Sequence, residues 1–255
     1  MCMSIDSKKF YIIAYDYLKS ILPPQITEDR LNEYLVQTTN SADSLKNVFV
    51  GLIKAAQNYQ FMPNVIKFKE RKSVFEQLFH GFDYKYVAGI NSTDLYYKLR
   101  ETFNVTSPDS HYNSWYRWSN SVVDSATFVC EFADINDFDD YVKNSNRIED
   151  VHLAISRKIR GIGFALACDT LKELRYKEFI KPDVHLKDIF EELGLCDRDD
   201  IRVFNTAIDI AKNCDITPYQ LDKTLWLTCS GNYYMDEIRV EGRKKELISK
   251  LKAAL

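Results

Sequence analysis

The stretch RKIRGIGFALACDTLKEL, Arg157–Leu174, places two glycines between two runs of helical character. The chain has only 8 glycines in 255 residues, so two glycines one residue apart require a structural reason. Before them, Val151, Ile155 and Ile159 lie on one stripe of a helix. A second stripe follows, formed by Phe164, Cys168, Leu171 and Leu174. Two helices joined by Arg160–Gly163 must fold back sharply, which glycine permits.

The hairpin predicted here has a chemical use as well as a structural one. The first turn of a helix presents unpaired backbone N–H groups and the positive end of the helix dipole. A tight hairpin can therefore bind a phosphate group without lysine or arginine. The alternative is a plain structural corner between two helices.

A second helix start follows in KPDVHLKDIFEELGL, Lys181–Leu195. Pro182 restricts the approach, and Asp183 stands in the N-cap position. The apolar residues that follow at helical spacing are Leu186, Ile189, Phe190 and Leu193. Taken alone, Asp183 reads as an ordinary helix cap.

Together, these motifs resemble the signature of the helix-hairpin-helix/GPD superfamily of DNA glycosylases, which act in base excision repair. The hairpin pattern L/I-x-G-[IV]-G-x-x-x-A is matched by IRGIGFALA, Ile159–Ala167. The aspartate context [VP]-D-x-[HY]-[LIM] is matched by PDVHL, Pro182–Leu186. LDKTLWLTCSGNYY, Leu221–Tyr234, is similar to the late helix of the family, which ends near a glycine. The resemblance covers about residues 105–240.

The resemblance implies a catalytic role for Asp183. Breaking an N-glycosidic bond builds positive charge on the deoxyribose, which a nearby carboxylate stabilises. It also implies a nucleotide flipped out of double-stranded DNA that contains a damaged or modified base. The hairpin residues expected to bind the DNA phosphate are Arg160, Gly161, Ile162, Gly163 and Phe164. The resemblance adds a monovalent cation, K⁺ or Na⁺, at the hairpin carbonyls, and it implies no other cofactor or metal site.

The sequence departs from part of this family at two places. Bifunctional members carry a lysine just after the hairpin, which attacks the sugar as an amine nucleophile. This chain has Ala165 there, so we predict a monofunctional enzyme that leaves an abasic site, with Lys181 as a substitute amine in the alternative. The four cysteines that bind an iron–sulfur cluster in some relatives are also missing, since Cys229 is the last cysteine.

The sequence offers several rival residues for contact with the extruded base. The residues considered for a base pocket or a wedge are Trp115, Trp118, His185 and Tyr233, with Phe164 and Tyr234 as rivals. Trp115 and Trp118 lie on one helical face, which equally suits core residues. His185 equally suits a structural role. The excised base is left open among oxidised or alkylated purines and modified bases of foreign DNA.

Composition limits the partners and the compartment. The chain has 34 Lys and Arg against 37 Asp and Glu, a formal charge of −3, so no overall positive field points to nucleic acid. The 6 cysteines are scattered and are expected to be reduced core thiols. The first residues lack a signal peptide, and no stretch is apolar enough to span a membrane. We expect a monomeric, cytoplasmic protein.

Helical periodicity dominates the chain, so we predict an all-α, two-lobed protein with a cleft between its lobes. Predicted divisions are an N-terminal helical region, residues 1–104, and the glycosylase region, residues 105–255, with lobes that can share both termini. One short strand is expected at DEIRV. Two other functional classes stay open: a non-catalytic helix-hairpin-helix DNA-binding protein, and a helical scaffold with a sharp corner.

Overall fold

A computed structural model describes residues 5–36, 42–59, 62–143 and 148–255. This part of the chain is built almost entirely of helices, as the periodicity predicts. The helices are α1 (Ser7–Ser20), α2 (Glu28–Leu35), α3 (Leu45–Ala56), α4 (Met62–Ile66), α5 (Lys72–Leu78), α6 (Tyr84–Ala88), α7 (Ser92–Thr102), α8 (Ser114–Val129), α9 (Ile135–Lys143), α10 (Ile148–Lys158), α11 (Phe164–Glu173), α12 (Val184–Glu192), α13 (Asp200–Asn213), α14 (Pro218–Ser230) and α15 (Lys244–Ala254). The strands β1 (Asn232–Tyr233) and β2 (Ile238–Arg239) form an antiparallel ribbon at the predicted DEIRV stretch.

The chain divides into two compact units, and both chain ends belong to the same one. The terminal unit comprises residues 1–39 and 175–255, and the central unit comprises residues 40–174. The predicted division after residue 104 does not coincide with this one. The stretch GFDYKYVAGINSTD, residues 81–94, interrupts the helical periodicity of the sequence and so suggests a boundary between domains. In the structure this stretch contains α6, which is capped by the Asp83 side chain. Since α6 and α7 both pack on α8, they belong to the central unit.

In the terminal unit, α14 lies at the centre and contacts α1, α2, α12, α13 and α15. It begins after the Thr217 cap, with Pro218 in its first turn, and it is buried along almost its whole length. It ends at Gly231, whose φ of 63° is the left-handed conformation that glycine adopts at helix ends. The core beside it includes Leu18, Leu31, Tyr34, Leu35, Leu227 and Tyr233.

In the central unit, α8 is the helix on which α3, α6 and α7 pack. Trp118 is fully buried there, and its indole N–H donates to the Ile53 carbonyl at 2.9 Å. The sequence NVIKFKERKSVFEQLF, residues 64–79, predicts one helix after Pro63. This prediction is wrong, because the structure has two helices, α4 and α5. They are separated at Lys67, which adopts a left-handed φ of 52°, and at Phe68, whose N–H donates to the Gln57 side chain.

Two further findings concern the membrane and the cysteines. Within the described ranges, no helix has the length and apolar character needed to cross a bilayer. The cysteines of these ranges are free thiols, of which Cys168 and Cys229 are buried, Cys196 and Cys214 are half-buried, and Cys130 is exposed. The expectation of core thiols therefore holds for two of them, while Cys2 lies outside the described residues.

Candidate functional site

The hairpin between α10 and α11 forms as predicted and turns at Gly161. This glycine has a φ of +82°, a conformation that L side chains rarely adopt. Ile162 points inward with 1% of its surface exposed, and its N–H donates to the Ile159 carbonyl at 3.2 Å. Gly163 then takes the N-cap position of α11, with no side chain that satisfies the first amides of the helix. The turn thus leaves a helix start whose N–H groups are available to an acceptor.

The hairpin is fastened to α8 through Arg160. Asp124 accepts from the Arg160 backbone N–H at 3.0 Å and from its guanidinium at 2.7 and 2.8 Å. Ser121 Oγ lies 2.6 Å from the Arg160 carbonyl oxygen. The Arg160 side chain, predicted to bind DNA phosphate, is 62% exposed but already paired in a two-pronged ion pair. Its structural role is therefore to fix the hairpin on α8.

The two hairpin glycines are required for different reasons. A Cβ atom at Gly161 would lie 2.7 Å from Ser121 Oγ, and its positive φ disfavours any side chain. At Gly163, φ is −78° and a Cβ atom would meet nothing within 4 Å. Internal packing therefore explains the glycine at 161 but not the one at 163. The backbone at Gly163 is therefore not covered by any side chain of the described chain.

Phe164, the last of the predicted hairpin residues, is half-buried. Its ring centroid lies 4.3 Å from that of His152, in an edge-to-face arrangement. The ring therefore packs against α10 in the central unit.

In the terminal unit, Asp183 caps α12 as predicted. Its Oδ1 accepts from the backbone N–H of His185 at 2.8 Å and from that of Leu186 at 3.1 Å. Within the described chain no group donates to Oδ2, and the residue is half-buried. One oxygen is therefore fixed by the helix, while the other is left for a ligand or solvent.

The surroundings of Asp183 oppose its ionisation. Burial raises the pKa of this carboxyl, and the charge of Asp222 raises it further, against the opposing effects of His185 and of the two amide hydrogen bonds. Asp222 is itself 1% exposed, on the central helix α14. The ionised carboxylate of Asp183 thus gains more than an exposed one from a positive charge brought close to it.

Cys229 shows which side of α14 faces Asp183. Burial raises the pKa of this thiol to about 12, and the charge of Asp183 contributes to the shift. Asp222 and Cys229 are separated by two helical turns and share one face of α14. The start of α12 therefore lies against that face, and Cys229 stays a neutral thiol there.

The residues considered for a base pocket have different positions. Trp115 and Trp118 are 3% and 0% exposed, so both are core residues of the central unit. Tyr233 is 1% exposed and packs edge-on against Tyr34 at 5.8 Å, and burial raises its pKa to about 12. These three rings are enclosed by their own unit. His185 is half-buried beside Asp183, and its Nδ1 atom makes no hydrogen bond within the described chain.

From the sequence alone, Asp222 and Lys223 fit an ordinary pair at the end of a helix, and the charge of Asp222 that raises the pKa of Asp183 was missed. The structure buries both, with the Lys223 ammonium 4.8 to 5.6 Å from the rings of Tyr219, Trp226 and Tyr234. The available signal was the segment LDKTLWL, whose two adjacent charges sit among large apolar residues. Charges at such positions are buried only when they interact with other groups.

Comparisons with known proteins bear on the fold. No family model matches the chain, and no curated protein matches it. Its fold is similar to the crystal structure of Methanocaldococcus jannaschii 8-oxoguanine glycosylase/lyase in complex with a 15-mer DNA containing 8-oxoguanine. The TM-score is 0.51 at 18% identity, over 85% of this chain and 96% of that one. The all-α fold implied by the sequence resemblance is therefore the fold observed.

Gly161 and Gly163 form a matched pair for testing the hairpin. We expect Gly161→Ala to destabilise the protein by about 1–3 kcal/mol, because alanine must adopt a positive φ and crowd Ser121. Gly163→Ala should change the free energy of unfolding by less than about 1 kcal/mol, since the site has room and an ordinary φ. Urea denaturation of both variants measures the difference. Equal losses would contradict the distinction between the two glycines.

Asp183 and Asp188 form a second pair, with opposite signs. The raised pKa of Asp183 means that its ionisation costs stability above its folded-state pKa, so Asp183→Asn, which keeps the cap, should raise the melting temperature at pH 7. The pKa of Asp188 is lowered by Lys244 and Arg198, so Asp188→Asn should lower the melting temperature. The Asp183 difference should shrink as the pH falls from the raised folded-state pKa toward about 3.9, the pKa of aspartate in the unfolded chain. The Asp188 difference should shrink only as the pH falls below about 3.9, through its lowered folded-state pKa. Melting curves at about pH 7, pH 4 and pH 2 measure both windows, and shifts of the same sign at pH 7 would contradict the assignment.

Proposed function

We propose that this protein is a DNA glycosylase that hydrolyses the N-glycosidic bond of a flipped, damaged or modified base. The observation that carries the proposal is the carboxylate of Asp183, which is held through Oδ1 by two amides and has no donor on Oδ2 within the described chain. A carboxylate of this kind suits a reaction that creates a cation beside it. The similarity of the fold to that of an 8-oxoguanine glycosylase/lyase supports the same class of chemistry.

In the proposed reaction, the bond between C1′ of the deoxyribose and the base nitrogen breaks. The electron pair leaves with the base, and C1′ becomes positively charged. The Asp183 carboxylate stabilises this charge and takes a proton from the water that attacks C1′. Asp183 then gives up this proton to solvent and the leaving base takes one up from solvent, so the carboxylate is restored and the products are the free base and an abasic sugar. The raised pKa of Asp183 agrees with this role, because it allows the group to hold that proton transiently.

The hairpin supplies the second half of the proposal. The amides at the start of α11 would donate hydrogen bonds to a phosphate of the DNA strand, because no side chain caps them and Gly163 leaves space for close approach. The K⁺ or Na⁺ ion implied by the family resemblance would bind the carbonyl oxygens of Arg160 and Ile162. The Arg160 carbonyl has one lone pair engaged by Ser121, which leaves the other for a cation.

We further propose that the enzyme is monofunctional, acts as a monomer in the cytoplasm, and leaves the abasic site uncleaved. The support is Ala165, which stands one residue into α11 and has no amine to attack the sugar. Lys181, two residues before Asp183, is the amine that would act in the alternative. The substrate is proposed to be a damaged purine or another modified base in double-stranded DNA.

The second candidate function is that of a non-catalytic DNA-binding protein. The observation that favours it is that Asp183 caps α12, which is a sufficient structural reason for an aspartate at this position. The two candidates differ in whether Asp183 is needed only for the fold or also for bond cleavage. Asparagine caps a helix as well as aspartate does, so a single substitution separates them.

We expect Asp183→Asn to lower base release about 100-fold or more while leaving DNA affinity unchanged, because the negative charge beside C1′ is lost and the cap is kept. The measurement is a panel of duplexes, each with one altered base, scored for abasic sites. Asp188→Asn is the control, because that carboxyl is engaged by Lys244 and Arg198 and should not be required for the reaction. The wild-type rate should also fall as the pH is lowered, because Asp183 becomes protonated. The midpoint of this fall should lie above about pH 3.9, the ordinary pKa of aspartate, since the pKa of Asp183 is raised. Unchanged base release by Asp183→Asn would refute the catalytic role.

The monofunctional assignment predicts that borohydride traps no covalent adduct between the protein and its substrate DNA. Trapping requires an imine formed by an amine of the protein, and Ala165 provides none. An Ala165→Lys variant is the positive comparison, since it restores an amine just after the hairpin. If the wild-type protein is trapped and Lys181→Ala abolishes the adduct, the enzyme has lyase activity through Lys181.

A further inference from the structure

An arginine flanked by two exposed tyrosines forms a surface feature of the central unit. The Arg117 guanidinium, on α8, lies 5.9 Å from the ring centroid of Tyr59 and 5.8 Å from that of Tyr112. Tyr59 is 40% exposed, and Tyr112 is 82% exposed, the highest value among the large apolar side chains of the described ranges. We call these three residues the Tyr–Arg–Tyr cluster.

The cluster is continuous with the hairpin through α8. Arg117, Ser121 and Asp124 follow one another at helical spacing and so lie on one face of that helix. Ser121 Oγ lies 3.1 Å from the Arg117 carbonyl oxygen and 2.6 Å from that of Arg160. The one proton of this hydroxyl suits the nearer Arg160 carbonyl, so Ser121 ties α8 to the hairpin one turn after Arg117.

The two arginines on this face have different environments. Arg160 is engaged by Asp124, so its charge is locally neutralised. Arg117 forms no ion pair with any residue of the described chain, and it contacts aromatic faces instead. A guanidinium of this kind keeps its hydrogen-bond donors for an anion from outside. Exposed aromatic rings beside such a cation are the combination with which proteins bind unstacked nucleotides.

We propose that the Tyr–Arg–Tyr cluster is a second DNA contact, which binds a nucleotide left without its stacking partner where the duplex is opened. The Tyr112 ring stacks on the exposed base, Arg117 binds an adjoining phosphate, and Tyr59 positions the guanidinium. This inference rests on the proposed function only in taking the hairpin to hold the same strand. It places the stacking residue in the loop before α8, in place of the buried Trp115 and Trp118 of the same segment.

The test uses the full-length protein and a duplex that carries a tetrahydrofuran abasic-site analogue. The fluorescent base 2-aminopurine is placed opposite the analogue in one duplex and next to it in another. Wild-type protein should quench the fluorescence of at least one probe, because a stacked tyrosine ring quenches it. Tyr112→Ala should lose the quenching and bind about tenfold more weakly, whereas Tyr112→Phe, which keeps the ring, should behave as wild type. Arg117→Ala should weaken binding. It should also make the slope of log affinity against log salt concentration shallower by about one, because one phosphate contact is lost.

Tyr86→Ala is the matched control, because Tyr86 is 36% exposed in the same unit but far from the cluster. Its neighbour Lys85 interacts electrostatically with Cys130, at the other end of α8. This variant should bind and quench as wild type. Circular dichroism confirms that each variant is folded.

The outcomes separate this inference from the proposed function. If wild-type protein releases a base but the Tyr112 and Arg117 variants bind the abasic duplex normally, the cluster is not a DNA contact and the inference is refuted. If no base is released from any duplex but these variants lose affinity and quenching, the cluster is supported and the glycosylase assignment fails. If the wild-type protein does not bind the abasic duplex, both are refuted.

Discussion

The capping of α12 by Asp183 is the interaction on which the candidate site depends. Two backbone amides fix one carboxylate oxygen, so the position of this group is set by the helix and not by a flexible side chain. Burial and the charge of Asp222 make ionisation costly, and both raise the pKa of the group. A carboxylate that is held in place and poorly solvated needs little reorganisation when a cation forms beside it. Its attraction to that cation is also stronger than that of a solvated carboxylate. The structural and the chemical explanation of Asp183 are therefore compatible.

In the central unit, the hairpin is held in place by side chains of α8. Ser121 and Asp124 hold Arg160 from one face of that helix, and Gly161 is required because a side chain there would collide with Ser121. The turn is thus fixed by packing inside the unit, whereas Gly163 is not required by any internal contact. Contacts inside the unit therefore explain the glycine at position 161, whereas the glycine at position 163 lies on the surface and has no such contact.

Local signals predicted the hairpin and the start of α12 because both depend on neighbouring residues. Glycines, a proline, a capping aspartate and helical stripes act over one or two turns. Asp222 was not identified as a partner of Asp183, because their proximity depends on how α12 packs on α14. The break after Ile66 also depends on tertiary structure, since the buried Phe68 donates its N–H to Gln57.

The DNA binding proposed for this chain would lack a strong general attraction. With a formal charge of −3, the chain has no overall positive field, and non-specific binding to the phosphate backbone depends on the number of cations that neutralise phosphates. Arg160 adds little, since Asp124 neutralises it. The groups that the proposals place in contact with DNA in the central unit are uncharged amides at a helix start, the Arg117 guanidinium, and the exposed Tyr112 ring. In the proposed function, these groups would recognise an opened nucleotide better than an intact duplex, because only the opened form offers an unstacked base. Discrimination would then come from the weakness of the background binding as much as from the strength of the specific contacts.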